Sequence, residues 1–418
     1  MKTIVIAGSG PAGLAAGIAA SSDKTKVIII EQKEKPGLKL LASGGGRCNV
    51  TNILAINDFI HRFHRNQKFI RPALINFDNN KLRAFLLEHG VKTSVLDEFY
   101  VFPNSQRASD VLKVFYETCL KRNVQFRFSQ KVVSLKIEQN KLQGIQLSSG
   151  EILDADAFII ATGGKSYPIL GATGEGYILA EQAHHSIITP VPGLVAVNTK
   201  EQWFLSCTGI VLPNASLRVA IPKLKLHATG ELLITHQGIS GPVVLDLAGE
   251  IAYLLQTNKQ PVPLECCWNA DMNRMIWEKL FQEWHTIHGK KLIRNLLTKY
   301  FPQSFANNLY KQACGEIDFH ASEFSNEKKK KLLTLLSECP LSIVQTGNFD
   351  RAMVTRGGVN VSEVNPTTLE SRIVSGLYFA GEVLDIDGPC GGFNLQWAFS
   401  SGTLAGQSIR NQFVMRNS

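Results

Sequence analysis

The sequence predicts an α/β fold whose parallel sheet is built from both ends of the chain, with an all-β and then an all-α insertion between them. Three observations predict it. The first 31 residues read strand, glycine turn, helix, strand. The last 40 or so repeat a strand, a glycine-rich loop and a helix. Between them the hydrophobic period changes, from alternating runs to helical spacing.

The elements follow in order. "TIVIAG" (Thr3 to Gly8) is a short β-branched run suited to a buried parallel strand. The small, apolar "PAGLAAGIAAS" fits a helix packed tightly on a sheet, and "KVIIIE" (Lys26 to Glu31) is the next strand. At about 30 residues this is the size of a βαβ unit. Helices are expected over Lys81 to His89, stopped by Gly90, and from Ser109 to Lys121 with Ser109 as N-cap. Alternating strands run from Val124 to Ala161 and end in "AFIIATGG". "GATGEG" (Gly171 to Gly176) follows no clear strand and reads as a loop and helix start.

From about Leu194 to Trp268, "LVAVNT", "SLRVAI", "ELLITH" and "VPLECCW" alternate without helical periods, which predicts an antiparallel barrel or sandwich. Met272 to about Leu336 reads helical. Trp277, Leu280, Phe281 and Trp284 form a stripe that belongs to a core rather than to a cofactor box. "GLYFAG" (Gly376 to Gly381) is a strand again, and "FNLQWAFSSGTLAGQSIRNQF" is a terminal helix. The expected boundaries are 1–193 and 343–418 for the two parts of the α/β domain, 194–270 for the barrel and 271–342 for the helical segment.

Length and composition narrow the class. A chain of 418 residues with 44% hydrophobic and 19% charged residues is that of a globular protein with a sizeable core. No apolar run is long enough to span a membrane, so no membrane partner is expected. The eight cysteines include no CxxC and no zinc-like pairing, which excludes a dithiol exchanger, predicts no metal site and points to the reducing cytoplasm. The net charge of +9 fits a mildly basic protein or one with a polyanionic partner. Clusters at Lys223 and Lys225, Lys290 and Lys291, and Lys328 to Lys331 keep the second reading open. No stable protein partner is inferred.

The chemistry begins at "GSGPAG". Gly8, Gly10 and Gly13 have the GxGxxG spacing in its required place, after a strand and opening a helix. Gly8 makes the tight turn, Gly10 admits a pyrophosphate and Gly13 lets helix and strand pack closely. Ser9, Pro11 and Ala12 complete the turn, and Glu31, closing the second strand, is placed to accept from ribose hydroxyls. This establishes a dinucleotide. The second glycine loop, with Gly391 and Gly392, suits a large one such as FAD, which needs both loops. The helix start near Asn394 could face the flavin's pyrimidine edge.

"SGGGRCNVTN", "ATGGKSYPILGATGEGY", "LLITHQGISGP" and "GLYFAGEVLDIDGPCGGFNLQWAFSSG" resemble signatures of the BaiN/RdsA family of NAD(P)/FAD-dependent oxidoreductases, which also has aminoacetone oxidase-like relatives. The resemblance implies a glutathione-reductase-type FAD-binding Rossmann domain with an inserted β-barrel and helical subdomain. It also implies that FAD is lined by Gln32, Lys39, Ser43, Gly44, Gly45, Gly46, Arg47, Val133, Thr162, Gly163, Gly381, Glu382, Gly392, Phe393, Asn394 and Leu395. Arg47 would meet phosphate or the flavin carbonyl edge. Arg356 in "VTRGGV" stands where relatives more often carry a small residue, so the substrate side is expected to differ.

No second βαβ fingerprint is visible, so NAD(P)H, the expected electron donor, would visit the flavin face transiently and leave before the substrate binds. Three activities stay open: reduction of a conjugated C=C in a small enone, reduction of uracil in ribosomal RNA to dihydrouridine, and oxidation of a small amine such as aminoacetone. The competing non-catalytic reading keeps FAD as a structural element. Cys48, beside the cofactor loop, and His236 in "THQGISGP" are the candidate proton donors, each against a plain packing or loop role. Cys390 shares that ambiguity on weaker grounds. If the acceptor is RNA, the basic insertion, Lys328 to Lys331 above all, is expected to grip phosphates.

Overall fold

The computed structural model describes residues 1–415 and divides into two compact units. The first joins Met1–Val191 to the chain from Phe349 onward, and the second is Pro192–Asn348.

In the first unit, β1 (Lys2–Ala7) is the middle of a five-stranded sheet. β2 (Thr25–Ile30) and then Gln125–Arg127 lie on one side, and Ala157–Ile160 and then Leu377–Phe379 on the other. All neighbours are parallel, with Ile4 opposite both Val27 and Ala157. The β-branched runs of β1 and β2 are buried because layers cover both faces of such a sheet. Between β1 and β2, α1 (Pro11–Ala20) packs against the C-terminal helix Phe393–Met415. Small residues permit this approach: a side chain at Gly402 or Gly406 would run into the main chain at Ala12 or Ala16. An antiparallel sheet of Val132–Glu138, Lys141–Leu147 and Ile152–Asp154 lies along the chain before Ala157–Ile160.

Two helix starts differ from expectation. The first helix is Asn79–Glu88, begun by Asp78, whose carboxylate accepts from the Lys81 amide. The second is Ala108–Lys121 with Arg107 at the N-cap. Ser109 lies inside its first turn, where the hydroxyl turns to Asp110 at 3.5 Å.

The second unit is a closed antiparallel barrel. Its strands follow the order Val197–Thr199, Gly238–Ser240, His227–Ile234, Val211–Val219, Val262–Cys267 and Cys339–Thr346, and the last returns to the first. Cys266 is buried inside and Cys267 half-buried on the other face, as alternation requires. The segment read as continuous strand also holds a helix, Pro242–Asn258, introduced by Gly241 and by proline at its first position. The helices Arg274–Ile287, Ile293–Leu297, Gln303–Cys314 and Asn326–Ser337 interrupt the barrel before its last strand. That strand therefore starts inside the expected helical range 271–342. Trp277, Phe281 and Trp284 are buried core residues.

Candidate functional site

The site grows from the end of β1. Gly8 has φ +100°, and a side chain there would overlap the Ala161 carbonyl. Gly13 faces the Gly8 carbonyl so closely that only hydrogen fits. Gly10 is different: a Cβ there would meet no atom within 4 Å. It is the N-cap of α1, without a side-chain capping bond, and Pro11 follows. The Leu14 amide is the first to bond back into the helix, to the Gly10 carbonyl at 3.0 Å. The amides of Ala12 and Gly13 thus have no acceptor inside the helix and carry its positive end.

Glu31 follows directly on β2. One carboxylate oxygen accepts from the Ser9 amide and hydroxyl at 2.8 and 2.7 Å, and the other from the Lys33 amide at 2.9 Å. Ser9 therefore locks the acidic residue to the glycine turn, and the oxygen that accepts from Lys33 keeps a lone pair for a further donor. Gln32 donates to the Gly171 carbonyl at 2.6 Å, which ties "GATGEG" to the end of β2.

Lys39, on the short helix Leu38–Ala42, donates to Glu382 and Ser166, both at 2.6 Å. The other Glu382 oxygen accepts from the Ser166 hydroxyl at 2.8 Å and the Thr355 amide at 2.7 Å. Thr355 Oγ1 in turn accepts from the amides of Lys165 and Ser166. The Thr162 hydroxyl is buried without a protein partner. Gly163, next to it, has φ +75°. Val133 is partly exposed, and its carbonyl accepts from Gln182.

The triple glycine is a left-handed turn. Gly44, Gly45 and Gly46 have φ of 56, 67 and 88°, and a Cβ on Gly45 would meet nothing within 4 Å. Ser43 opens the turn with its hydroxyl on the Leu40 carbonyl. Arg47 is exposed, donates to the Gly44 carbonyl and lies 5.2 Å over the Phe102 ring, so its guanidinium lids the turn. Cys48 continues the left-handed path at φ 63° and is fully buried. Burial pushes its thiol up to about 12, against a smaller opposing hydrogen bond with Ser43.

The second glycine loop closes the site from the C-terminal side. Gly381 lies against Ala12, and its amide donates to Ser401 at 2.9 Å. Gly392 (φ +80°) presses on the Thr51 main chain, and Asn52 donates to the Gly391 carbonyl. Asn394 holds both the amide and the carbonyl of Gly388, at 2.8 and 2.9 Å. Its side chain therefore staples its own loop. The Phe393 ring is buried beside Phe59, Phe63 and Phe99, which leaves only main chain to face a ligand, and Leu395 is partly buried.

Sequence reasoning missed the support behind this loop. Arg65 grips Asp385 through two hydrogen bonds of 3.0 and 2.9 Å and reaches Asp387 at 2.8 Å. Asn66 donates to the Asp385 carbonyl. Arg356 is buried, with its guanidinium 3.9 Å from Asp387. "LDIDGP" offered the two carboxylates as a signal, but nothing near Arg65 marked it as their partner. His236 belongs to the second unit, exposed at the turn between His227–Ile234 and Gly238–Ser240.

These residues fit an FAD. The open space at Gly10 before an uncapped helix start suits a pyrophosphate, Glu31 stands where a ribose would lie, and the orphaned Thr162 hydroxyl lacks an acceptor or donor that a ligand can supply.

The profile of the HI0933-like protein Rossmann domain matches residues 2–408. The 3-dehydro-bile acid delta(4,6)-reductase of Clostridium scindens is 33% identical over 98% of this chain and 99% of its own. The ribosomal RNA dihydrouridine synthase of Escherichia coli is 30% identical over 97% of each. Among solved structures, 3-ketosteroid delta1-dehydrogenase from Sterolibacterium denitrificans has a TM-score of 0.52 at 11% identity, covering 99% of this chain and 100% of its own. The FrdA subunit of E. coli quinol fumarate reductase also reaches 0.52, at 15% identity, over 100% of this chain and 72% of its own. These two likenesses concern the fold.

Proposed function

Since this chain belongs to the HI0933-like Rossmann family, we propose that it is an FAD-dependent oxidoreductase that reduces a conjugated carbon–carbon double bond with electrons from NAD(P)H. The observation that carries the reading is the open cradle at Gly10, joined to Glu31 through Ser9, in a chain aligned almost end to end with two reductive enzymes. FAD, when bound, supplies hydride at N5. The α1 amides would hold its pyrophosphate and Glu31 would accept from its ribose, while the Lys39–Glu382 pair ties the helix Leu38–Ala42 to the turn after Leu377–Phe379.

Of the two expected proton donors, Cys48 is read as a packing residue. A thiol raised to about 12 and sealed from solvent keeps its proton at neutral pH. His236 is retained as the candidate acid, and His236→Gln is expected to slow acceptor turnover by about 100-fold or more. The acceptor is a small enone or a uracil in ribosomal RNA, and the working place is the cytoplasm.

Anaerobic titration tests the reading. The yellow protein should bleach with NAD(P)H and recover its colour on adding an enone or ribosomal RNA, with ping-pong kinetics. A flavin that NAD(P)H leaves oxidised would sink the reading. Nucleoside mass spectrometry of ribosomal RNA from a deletion strain separates the acceptors: loss of a dihydrouridine selects RNA, and an unchanged profile selects the small molecule.

A further inference from the structure

Several cations of the second unit, including two of the four in the run Lys328 to Lys331, already have partners. Lys331 pairs with Glu327 at 3.0 Å, Lys311 with Glu316 at 2.9 Å and Arg294 with Asp318 at 3.0 Å, while Lys328 sits 3.4 Å over the Phe319 ring. The first unit contains a contrasting strip. In "HRFHRNQKFIR" (His61 to Arg71), Arg62, His64, Lys68 and Arg71 are exposed, and none of them makes an ion pair among the described residues. Asp58 is the acidic residue nearest in sequence, one helical turn before Arg62, and it too is exposed.

The fold aligns these cations. Lys68 and Arg71 lie one turn apart on the helix α2 (Gln67–Asn76), on the face opposite buried Phe69, Ile70, Ala73 and Leu74. Gln67 donates to the carbonyls of Phe63 at 2.7 Å and His61 at 3.4 Å, which folds the turn bearing Arg62 and His64 back onto the start of α2. The same turn is bolted to the cofactor side. Arg65, the one cation of the strip that points inward, holds Asp385 and Asp387, the residues that lead into the Gly391–Gly392 loop. A row of unpaired positive charge is thereby fixed to the loop expected beneath the flavin.

We propose that Arg62, Lys68 and Arg71 form a phosphate-contacting strip that docks the RNA backbone and presents a base to the flavin site. The inference rests on the reductase reading and selects its RNA acceptor. Charge complementarity carries it: phosphates spaced along a strand match cations spaced along a turn and a helix, and unpaired cations give up no intramolecular partner on binding. It also moves the expected RNA contact from the lysines at 328–331 to the first unit.

The test uses the full FAD-loaded protein and a fluorescent single-stranded oligouridine of about 20 nucleotides, titrated by anisotropy at roughly 50 to 200 mM salt. Arg62→Glu/Lys68→Glu/Arg71→Glu should weaken binding about tenfold or more and lower the salt slope by about 2, near 0.7 for each lost phosphate contact. Lys329→Glu/Lys330→Glu/Lys331→Glu, an equal change in net charge, should stay within about threefold of the parent. Flavin absorbance per chain and the melting temperature show that the strip variant is folded, and Arg62→Lys/Arg71→Lys should bind like the parent. The proposal is overturned if the parent does not bind the oligouridine, if the strip variant binds as well as the parent, or if both reversals weaken binding equally. A parent whose flavin NAD(P)H cannot bleach counts against the reductase reading alone, because the anisotropy titration does not depend on it.

Discussion

Two glycine turns of the first unit, Gly8 to Gly13 and Gly44 to Gly46, are glycine-rich for opposite reasons. At Gly8 and Gly13 the protein itself demands glycine: main chain crowds both positions, and a side chain at either would collide with it. At Gly45 and Gly46 the surroundings are loose, although a Cβ on Gly44 would come within 3.1 Å of the Asn49 main chain. Nothing lies within 4 Å of a Cβ on Gly45, the nearest atom to one on Gly46 is 3.9 Å away, and at these two positions the demand is the left-handed backbone alone. Gly10 combines features of both, with ordinary φ of −74° and empty space. Crowded glycines therefore report on packing, whereas uncrowded ones report on shape or on something the protein receives.

Substitutions can break this contrast, beginning with the most severe. Gly13→Val should destabilise the protein by about 3 kcal/mol or more, since helix and strand must part to admit it. A denaturant midpoint close to the parent's would show the crowding to be soft. Gly10→Val should leave the apoprotein's unfolding unchanged and weaken FAD by about 100-fold or more, read by fluorescence titration. Equal losses of fold and flavin would erase the distinction between these neighbours. Glu31→Ala should weaken FAD by about 1.5–3 kcal/mol. Normal affinity would confine Glu31 to holding Ser9.

Milder effects belong to the second turn. Gly45→Ala should lower stability by about 1 kcal/mol, the strain of an alanine at φ +67°, without any steric clash. A loss as large as that of Gly13→Val would mean the turn is packed after all. Cys48, where this turn ends, should contribute no pH dependence near neutrality. Its folded pKa is raised, so its contribution is intact below pH 9 and declines as pH rises from 9 towards 12, where the unfolded thiol ionises first. Iodoacetamide at pH 8 should leave it unmodified until urea is added, and rapid labelling of the native protein would show the turn to be open.

Legibility in the sequence followed the same divide. The first turn, α1 and β2 could be read because Gly8, Gly10, Gly13 and Glu31 act within one short segment. The helix Pro242–Asn258 does carry a helical stripe, Val243, Val244, Leu247, Ala248, Ile251 and Ala252, opposite Asp246, Glu250 and Thr257, but it is easily passed over between two alternating runs. The strand Cys339–Thr346 follows its preceding helix after a single residue, with no glycine or proline between them to mark the change. The web around Glu382 was beyond reach for another reason. Lys39 lies 343 residues from Glu382, and Ser166 lies 216 residues from it. Arg65 is likewise 320 residues from Asp385. Local periodicity reports which face a side chain presents, but it carries no information about a polar partner brought up by another segment. Ser109 shows the local limit: it is a good capping residue, yet the chain enters that helix two positions earlier, at Arg107.

The position of Leu377–Phe379 in the sheet has a consequence for the order of manufacture. Its neighbour Ala157–Ile160 is made before the second unit but keeps an open edge until Leu377–Phe379 follows that unit. At about 5–20 residues per second, that edge waits for tens of seconds on the ribosome. The barrel of the second unit completes its last strand, Cys339–Thr346, before the wait ends. The insert is therefore the first part able to close. The nascent cofactor domain must meanwhile be shielded from pairing with neighbouring chains, and flavin has a finished seat only once the helix Phe393–Met415 has left the exit tunnel.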